Sequence, residues 1–275
     1  MKTHLITFGD GHTAYRFAAD RLALQARQIG WFDSTTAYDL RTLDSLDNTW
    51  FSKHKNFIES SKRGLGYWIW KPKLIYETLN KIPEGDILVY LDCGCELNKF
   101  GFKLFELYKN ITVTQGLLAF HLALDEHHIK KWTKKYTLDC IIGTSDQLEG
   151  IPANMIESGI QFIKNNGKTK TFIKLWLDLV TVYNYSLVND DHINISNYPE
   201  FIDHRHDQSI FTLLFKKYNP GITLMNDNYH PELWANEKYD LAAPICALRN
   251  ISNINKLSTM QAQINTKDAQ YYLTI

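Results

Sequence analysis

Apolar and polar positions alternate along this chain in two rhythms, and the switches between them mark out its elements. "HLITFGD" (4–10) is a short apolar run closed by Gly9 and Asp10, which reads as a strand running into a loop. In "TAYRFAADRLALQARQIG", Tyr15, Ala18, Leu22 and Ala26 recur at helical spacing as far as Gly30, a residue suited to the left-handed position that ends a helix. "WFDSTTAYD" predicts a second short strand with a polar exit, and "TWFSKHKNFIESSK" a helix with Phe51, His54, Phe57 and Ile58 on one face. Pro72 sits where the first turn of a helix tolerates it, and "KPKLIYETLNKI" continues with Leu74, Ile75, Thr78 and Leu79. After the turn "PEGD", the continuous apolar run "ILVYLD" predicts a strand buried on both faces.

The second half is less regular. "GLLAFHLAL" (116–124) is a candidate strand, "EHHIKKWTKKYTLDCI" a basic helix or loop, and "MIESGIQFIKN" a strand pair or a strand and turn. Phe172, Leu175, Trp176, Leu179 and Tyr183 predict a helix in "TKTFIKLWLDLVTVYNYSLV", and "SIFTLLFKKYN" predicts another. The segment 251–275 is polar and weakly periodic, so it is expected as a docking helix or a partly disordered tail after one domain over 1–250.

Strand, helix, strand, helix, helix, strand in this order argues for an α/β fold with a mixed, mostly parallel central sheet and helices on both faces. Ligands in such sheets bind at the carboxyl ends of strands, and both "FGD" (8–10) and "DCG" (92–94) are strand ends. At 275 residues the chain favours one large domain. Lys plus Arg equals Asp plus Glu at 30 each, so no global field draws it to nucleic acid. Four cysteines, at 93, 95, 140 and 246, are too few and too uneven for a disulfide framework, which points to a reducing compartment. No signal-peptide pattern opens the chain, and no apolar run approaches the ~18 residues of a spanning helix, so the expected location is the cytoplasm.

Four segments concentrate chemistry. "YLDCGCELN" (90–98) puts Asp92, Cys93, Gly94, Cys95 and Glu96 at a strand end. Cys93 and Cys95, two apart on a strand, would share a face as a zinc clip requires, but Cys140 and Cys246 stand alone and supply no second half. Asp92 closes a buried strand, where a carboxylate needs a cation or strong donors, and Gly94 leaves room for a ligand; a turn-capping aspartate is the plainer reading. "RGLGYWIWKPK" offers Arg63 and Lys71 to meet phosphate charge and Tyr67 or Trp70 to stack on a base, or else is a helix start packed with core aromatics. "FIDHRHDQS" gathers His204, Arg205, His206, Asp207 and Gln208 before an apolar helix. That grouping suits a tuned acid or base, a clamp on sugar hydroxyls, or an N-cap. Ser158 and Gly159 in "MIESGIQ" line a sugar pocket or form a turn, and His230 in "NYHPELW" is a candidate late metal ligand.

With "RGLGYWIWKP" (63–72), "YLDCGCELN" (90–98), "HRHDQS" (204–209) and "FGD" (8–10) together, the chain resembles a GT-A type glycosyltransferase of a bacterial family serving capsule and O-antigen polysaccharide clusters. The resemblance implies a nucleotide-sugar donor, a UDP-hexose of galactose or glucose type, held with Mn²⁺ or Mg²⁺ beside Asp92. Phe8, Gly9 and Asp10 would hold the nucleoside, Arg63 and Lys71 would lie near ribose or diphosphate, and His206 and Gln208 would meet the sugar or acceptor. It implies an oligosaccharide acceptor, in such families often lipid-linked at the inner face of the cell membrane. The basic segment "HHIKKWTKKY" (127–136) would touch that surface or the diphosphate, or is a solvated face. The usual D-x-D reads "DCG" here, so Glu96, a water or His230 would complete the metal shell. If configuration inverts, Asp207 is the expected base. Rival readings are a metal-dependent phosphoester hydrolase using Asp92, Glu96 and His206, and a non-catalytic nucleotide-sugar binder.

Overall fold

A computed structural model of the chain describes residues 1–122, 125–143, 153–191, 196–225 and 243–254. Its elements run β1 (Thr3–Phe8), α1 (Thr13–Ile29), β2 (Ser34–Tyr38), α2 (Leu40–Leu46), α3 (Asn48–Ser60), a single turn α4 (Gly64–Tyr67), α5 (Trp70–Lys81) and β3 (Ile87–Leu91). They continue with β4 (Glu96–Leu97), α6 (Phe102–Gln115), β5 (Leu117–His121), α7 (Ile129–Trp132), α8 (Lys135–Ile142), β6 (Ile156–Lys164), α9 (Gly167–Thr181), α10 (His206–Tyr218), β7 (Ile222–Met225) and β8 (Ile245–Cys246).

The fold is α/β, with a six-stranded sheet in the order β2-β1-β3-β6-β5-β7 and a small antiparallel pair of β4 and β8. β1 runs parallel to β2 and β5 parallel to β7, while β6 is antiparallel to β5. β3 has no accessible surface at any of Ile87 to Leu91, as its unbroken apolar run requires of a strand covered on both faces.

By its internal contacts the chain divides into two compact units. The first comprises Met1–Lys2, Leu40–Tyr90 and Lys109–Asn226; the second comprises Thr3–Asp39, Leu91–Tyr108 and the chain from 227 onward. In the first, Asp47 caps α3 by accepting from the Trp50 amide, and Asn166 and Thr169 close a reciprocal capping box on α9. In the second, α1 ends at Gly30, whose φ of 73° is the left-handed turn predicted for it.

Three differences from the sequence reading have local causes. "MIESGIQFIKN" is one continuous strand, β6, because its polar Glu157, Ser158 and Gln161 are buried rather than turned to water. Cys93 and Cys95 lie in the turn after β3 and not on a strand, so the shared-face argument for a zinc clip does not apply. α6 went unpredicted, its helical period blurred by the β-branched "ITVT". The expected tail is described only at 251–254; 255–275 lie outside the described residues.

Candidate active site

In the first unit the chain between Arg63 and Ile69 turns the wrong way. Gly64, Leu65, Gly66, Tyr67 and Trp68 all have positive φ, between 50° and 84°. Left-handed backbone costs a residue with a side chain roughly 1–2 kcal/mol, and it is ordinarily found one residue at a time. Here the turn is closed by Tyr67 N–H to Arg63 C=O at 2.9 Å and Trp68 N–H to Gly64 C=O at 3.1 Å. The Trp70 indole N–H also donates to the Gly64 carbonyl, at 2.9 Å. Gly64 has no substitute at this spot, since a Cβ there would lie 2.3 Å from the Trp68 ring.

Two further left-handed sites pack near this turn, the second through Phe57, whose ring lies 5.9 Å from that of Tyr67. His206, the first residue of α10, has φ 51°, and its ring packs 4.8 Å from that of Tyr67 and 5.6 Å from that of Trp68. Tyr183, Asn184 and Tyr185 form a second left-handed run; Tyr185 stacks on Phe57 at 3.7 Å and its hydroxyl meets His54 Nδ1 at 2.7 Å. Strained backbone of this kind persists only where the surroundings over-determine it, and it gathers at ligand clamps and catalytic sites.

The electrostatics follow from burial. The Arg63 guanidinium reaches Asp203 through two bonds of 3.1 Å each and stands 3.8 Å from Asp190. The hydrogen bonding to Asp203 raises its pKa above the usual arginine value. Burial, with the Asp190 carboxylate as hydrogen-bond partner, pushes the Tyr67 phenol up. His206 Nδ1 donates to the Val188 carbonyl at 2.8 Å, and burial brings the ring down to about 4, so it is neutral with its lone pair on Nε2. His204 donates from Nε2 to the Leu187 carbonyl at 2.9 Å and accepts the Lys134 amide at Nδ1, and burial holds it well below the usual histidine value. The Lys134 ammonium gathers the carbonyls of Ser186 and Asn189 at 2.8 and 2.7 Å, and burial pushes it down to about 8.

Beneath these rings lies a buried charge pair. Lys71 Nζ stands 3.1 Å from Asp207 Oδ2 and donates to Ser158 Oγ at 3.2 Å; Ser158 donates in turn to Asp207 at 3.0 Å. The Trp176 indole N–H donates to the Asp207 carbonyl at 3.1 Å. Lys71 and Asp207 are both buried, so each neutralises a charge the interior would otherwise reject. Asp207 lies in the first turn of α10, where a negative charge suits the helix dipole, and Arg205 rather than Asp207 takes the N-cap.

The structure thus brings Arg63, Tyr67, Lys71, Ser158, His206 and Asp207 into one neighbourhood, and it revises several reasons for choosing them. Arg63 and Lys71 face carboxylates of the chain itself. Trp70, like Tyr67, is buried and tied to Gly64, so Trp68 is the aromatic with surface to offer. Gly159 is buried inside β6, and Gln208 is half-buried one turn into α10. Sequence reasoning missed Asp190, Asp203, Trp68 and Tyr185. Asp190 and Asp203 carried no local signal, since their partner Arg63 lies more than a hundred residues away in sequence.

The remaining candidates lie in the second unit. Phe8 is buried at the end of β1, and a Cβ on Gly9 would fall 2.1 Å from the Tyr15 carbonyl oxygen, so Gly9 serves close packing of β1 against α1. Asp10 accepts the Gly11 amide at 2.7 Å. Past Asp92 the turn is pinned: Arg21 donates to the carbonyls of Cys93 and Cys95 at 2.9 and 2.8 Å and pairs with Glu96 at 3.4 Å, while Asn250 donates to Glu96. The space beside Gly94, expected to admit a donor, is taken by the backbone of Arg249 and Asn250.

A divalent cation would find a sparse donor set here. Glu96 is fully buried against Arg21 and Asn250, which corrects its expected place in a metal shell, and His230 lies outside the described residues. Among the described residues no group of three or more His, Cys, Asp or Glu side chains could hold a metal ion. Among the described residues the half-buried Asp92 is the candidate that remains, a carboxylate of the kind that binds Mg²⁺ or Mn²⁺ when phosphate oxygens of a ligand fill the shell. No helix among the described residues is long and apolar enough to cross a membrane.

No protein-family model matches the chain, and no curated protein does. Among solved structures it is similar to mouse xyloside xylosyltransferase 1 in its apo form, with 12% identity, TM-score 0.46, 92% of this chain and 99% of that one. It is also similar to a glycosyltransferase involved in the glycosylation of the major capsid of PBCV-1, with 11% identity, TM-score 0.45, 97% of this chain and 100% of that one. A third is the apo-form glycosyltransferase GlyE of Streptococcus pneumoniae TIGR4, with 16% identity, TM-score 0.39, 93% of this chain and 55% of that one.

Proposed function

We propose that the chain is a glycosyltransferase that moves a hexose from a UDP-sugar, of galactose or glucose type, to a hydroxyl of a saccharide acceptor in surface-polysaccharide synthesis. The observation that carries this reading is the packing of "RGLGYWIWKP" against "HRHDQS". Two motif runs more than a hundred residues apart share one buried ion pair, Lys71 with Asp207, and one stack of rings, Tyr67 and Trp68 on His206. Lone structural motifs have no reason to interlock at the most strained backbone of the unit.

In an inverting reaction the acceptor hydroxyl loses a proton as it attacks the anomeric carbon, and Asp207 is the base in this proposal. Lys71, 3.1 Å from Oδ2, and Ser158, which donates to it at 3.0 Å, hold the carboxylate in place. Asp92 would bind the cation that neutralises charge on the departing diphosphate, which is the chemistry such a metal supplies. Gln208, Phe8, Asp10 and the lipid-linked form of the acceptor belong to the same proposal.

The test is a panel of UDP-, GDP- and CMP-sugars in thermal denaturation with and without Mn²⁺, because a ligand of the folded state raises its apparent stability. A stabilisation specific to UDP-sugars, with UDP release that depends on a saccharide acceptor, is the expected result. Absence of any nucleotide effect would sink the reading.

A further inference from the structure

His206 Nε2 is a buried nitrogen that no hydrogen-bond donor among the described residues reaches. Nδ1 spends its hydrogen on the Val188 carbonyl, which can only accept, so in the neutral ring the lone pair lies on Nε2. Facing it at 3.7 Å is Oδ1 of the part-exposed Asp190, whose carboxylate also accepts from Tyr67 and stands near Arg63. Set against a neutral Nε2 it repels, and a buried nitrogen is rarely left so. The ring is held there by a left-handed residue and walled by the left-handed turn that carries Tyr67 and Trp68. Strain and an unmet acceptor therefore fall at one spot.

The chemistry of what completes this spot is narrow. It must bring two donor hydrogens on neighbouring atoms, one for a neutral nitrogen and one for a carboxylate. A metal cation is disfavoured by the Arg63 guanidinium, 3.8 Å from Asp190. A vicinal diol fits: each hydroxyl donates once, and its oxygens remain open to Arg63. The half-buried Trp68 ring offers a platform for the apolar face of a sugar.

We propose that His206 Nε2 and Asp190 Oδ1 form a vicinal-diol subsite for a saccharide ring, with Trp68 as its platform. This rests on the saccharide-transfer reading for its substrate class and assigns Asp190 a role the motifs do not suggest. Nε2 is closed off from solvent, whereas the Asp190 side chain is 39% exposed, so the diol enters by moving that carboxylate outward.

The subsite is tested on the full chain labelled with ¹⁵N-histidine, titrated with methyl β-D-galactopyranoside and methyl β-D-glucopyranoside. Their 3-deoxy forms lack every ring vicinal diol that includes O3. The expected result is a displaced His206 Nε2 resonance on binding and about tenfold weaker affinity for the 3-deoxy sugar, the effect of losing one to two hydrogen bonds. His206→Asn, which tolerates the left-handed backbone but cannot reach as far as Nε2, should weaken binding similarly. Asp190→Ala should do the same and covers the case in which His206→Asn fails to fold. Equal affinity for parent and 3-deoxy sugars, binding without movement of Nε2, or no binding by the unaltered chain would each overturn the subsite. Thermal stabilisation by a UDP-sugar, measured without glycoside, reports separately on the transferase reading. Stabilisation with an unresponsive His206 removes the subsite alone; a responsive His206 without nucleotide binding removes the transferase alone.

Discussion

The turn at 63–69 and the turn at 92–98 are both glycine-bearing runs beside a buried element, yet they are fixed by opposite means. The first is held against its own backbone preference by rings packed on both sides, and an acceptor nearby is left unmet. The second has ordinary backbone at its non-glycine residues, and its carbonyls are taken up: Cys93 and Cys95 by Arg21, Gly94 by the Asn250 amide. Hydrogen bonding makes the 92–98 segment a fixed support. Strain makes the 63–69 segment a place where a ligand has something to gain.

The largest expected effect comes from the charge pair under the first turn. Lys71→Met strands Asp207 in the interior and should cost about 3–5 kcal/mol in chemical denaturation, with most of it restored in Lys71→Met/Asp207→Leu. Equal loss in single and double variants would break the claim that charge, and not packing, holds the motifs together. Arg21→Met should cost about 3 kcal/mol by the same logic. Arg21→Met/Glu96→Met should recover less of it, because the carbonyls of Cys93 and Cys95 lose the Arg21 guanidinium and the Asn250 side-chain amide loses Glu96. Full recovery would mean the second turn owes nothing to those bonds.

A smaller contrast separates the glycines. Gly64→Ala combines left-handed backbone with a clash into Trp68 and should destabilise by about 2–3 kcal/mol. Gly94→Ala, whose Cβ would meet Arg249 Cα at 3.0 Å, should cost about 1 kcal/mol in thermal melts.

Acid should weaken the first unit through its histidines. The folded pKa values of His54 and His206, each about 4, lie below the unfolded value of 6.5. The unfolded chain therefore takes up protons first as pH falls, and stability present above pH 6.5 is lost toward pH 4. The loss should be about 1 kcal/mol per pH unit for each ring, read from denaturation midpoints, and it should shrink in His54→Gln. The least effect is expected from Arg63→Ala. Its pair with Asp203 is about one-third exposed on both sides and should be worth no more than about 1 kcal/mol.

Much of the framework was legible because it rests on periodicity. The apolar spacing of 13–30 and the unbroken run 87–91 leave few alternatives, and α1 and β3 follow. β6 was misread because Gly159 and its polar neighbours look like a turn until burial by α10 is known. The site divides in the same way. Residue types that carry charge or rings were visible in "RGLGYWIWKP" and "HRHDQS", but their pairings were not. Arg63 with Asp203 and Lys71 with Asp207 cross more than a hundred residues, and no local rule fixes such partners. Left-handed backbone at Leu65, Tyr67 and Trp68 runs against local preference, so only tertiary packing could reveal it.

The run from Gly64 to Trp68 is a fragment of mirror-image helix inside an L-chain, and that inverts the usual rules of substitution along it. Among ribosomal residues the left-handed region comes cheaply to glycine and, less so, to asparagine and aspartate, so Leu65, Tyr67 and Trp68 hold it at a cost that their packing offsets. Chemical ligation is not so confined: a D-alanine at position 66 would sit at its own backbone minimum and would narrow the unfolded ensemble. The segment that genetics finds hardest to vary is then the one a synthetic chemist could stiffen most directly.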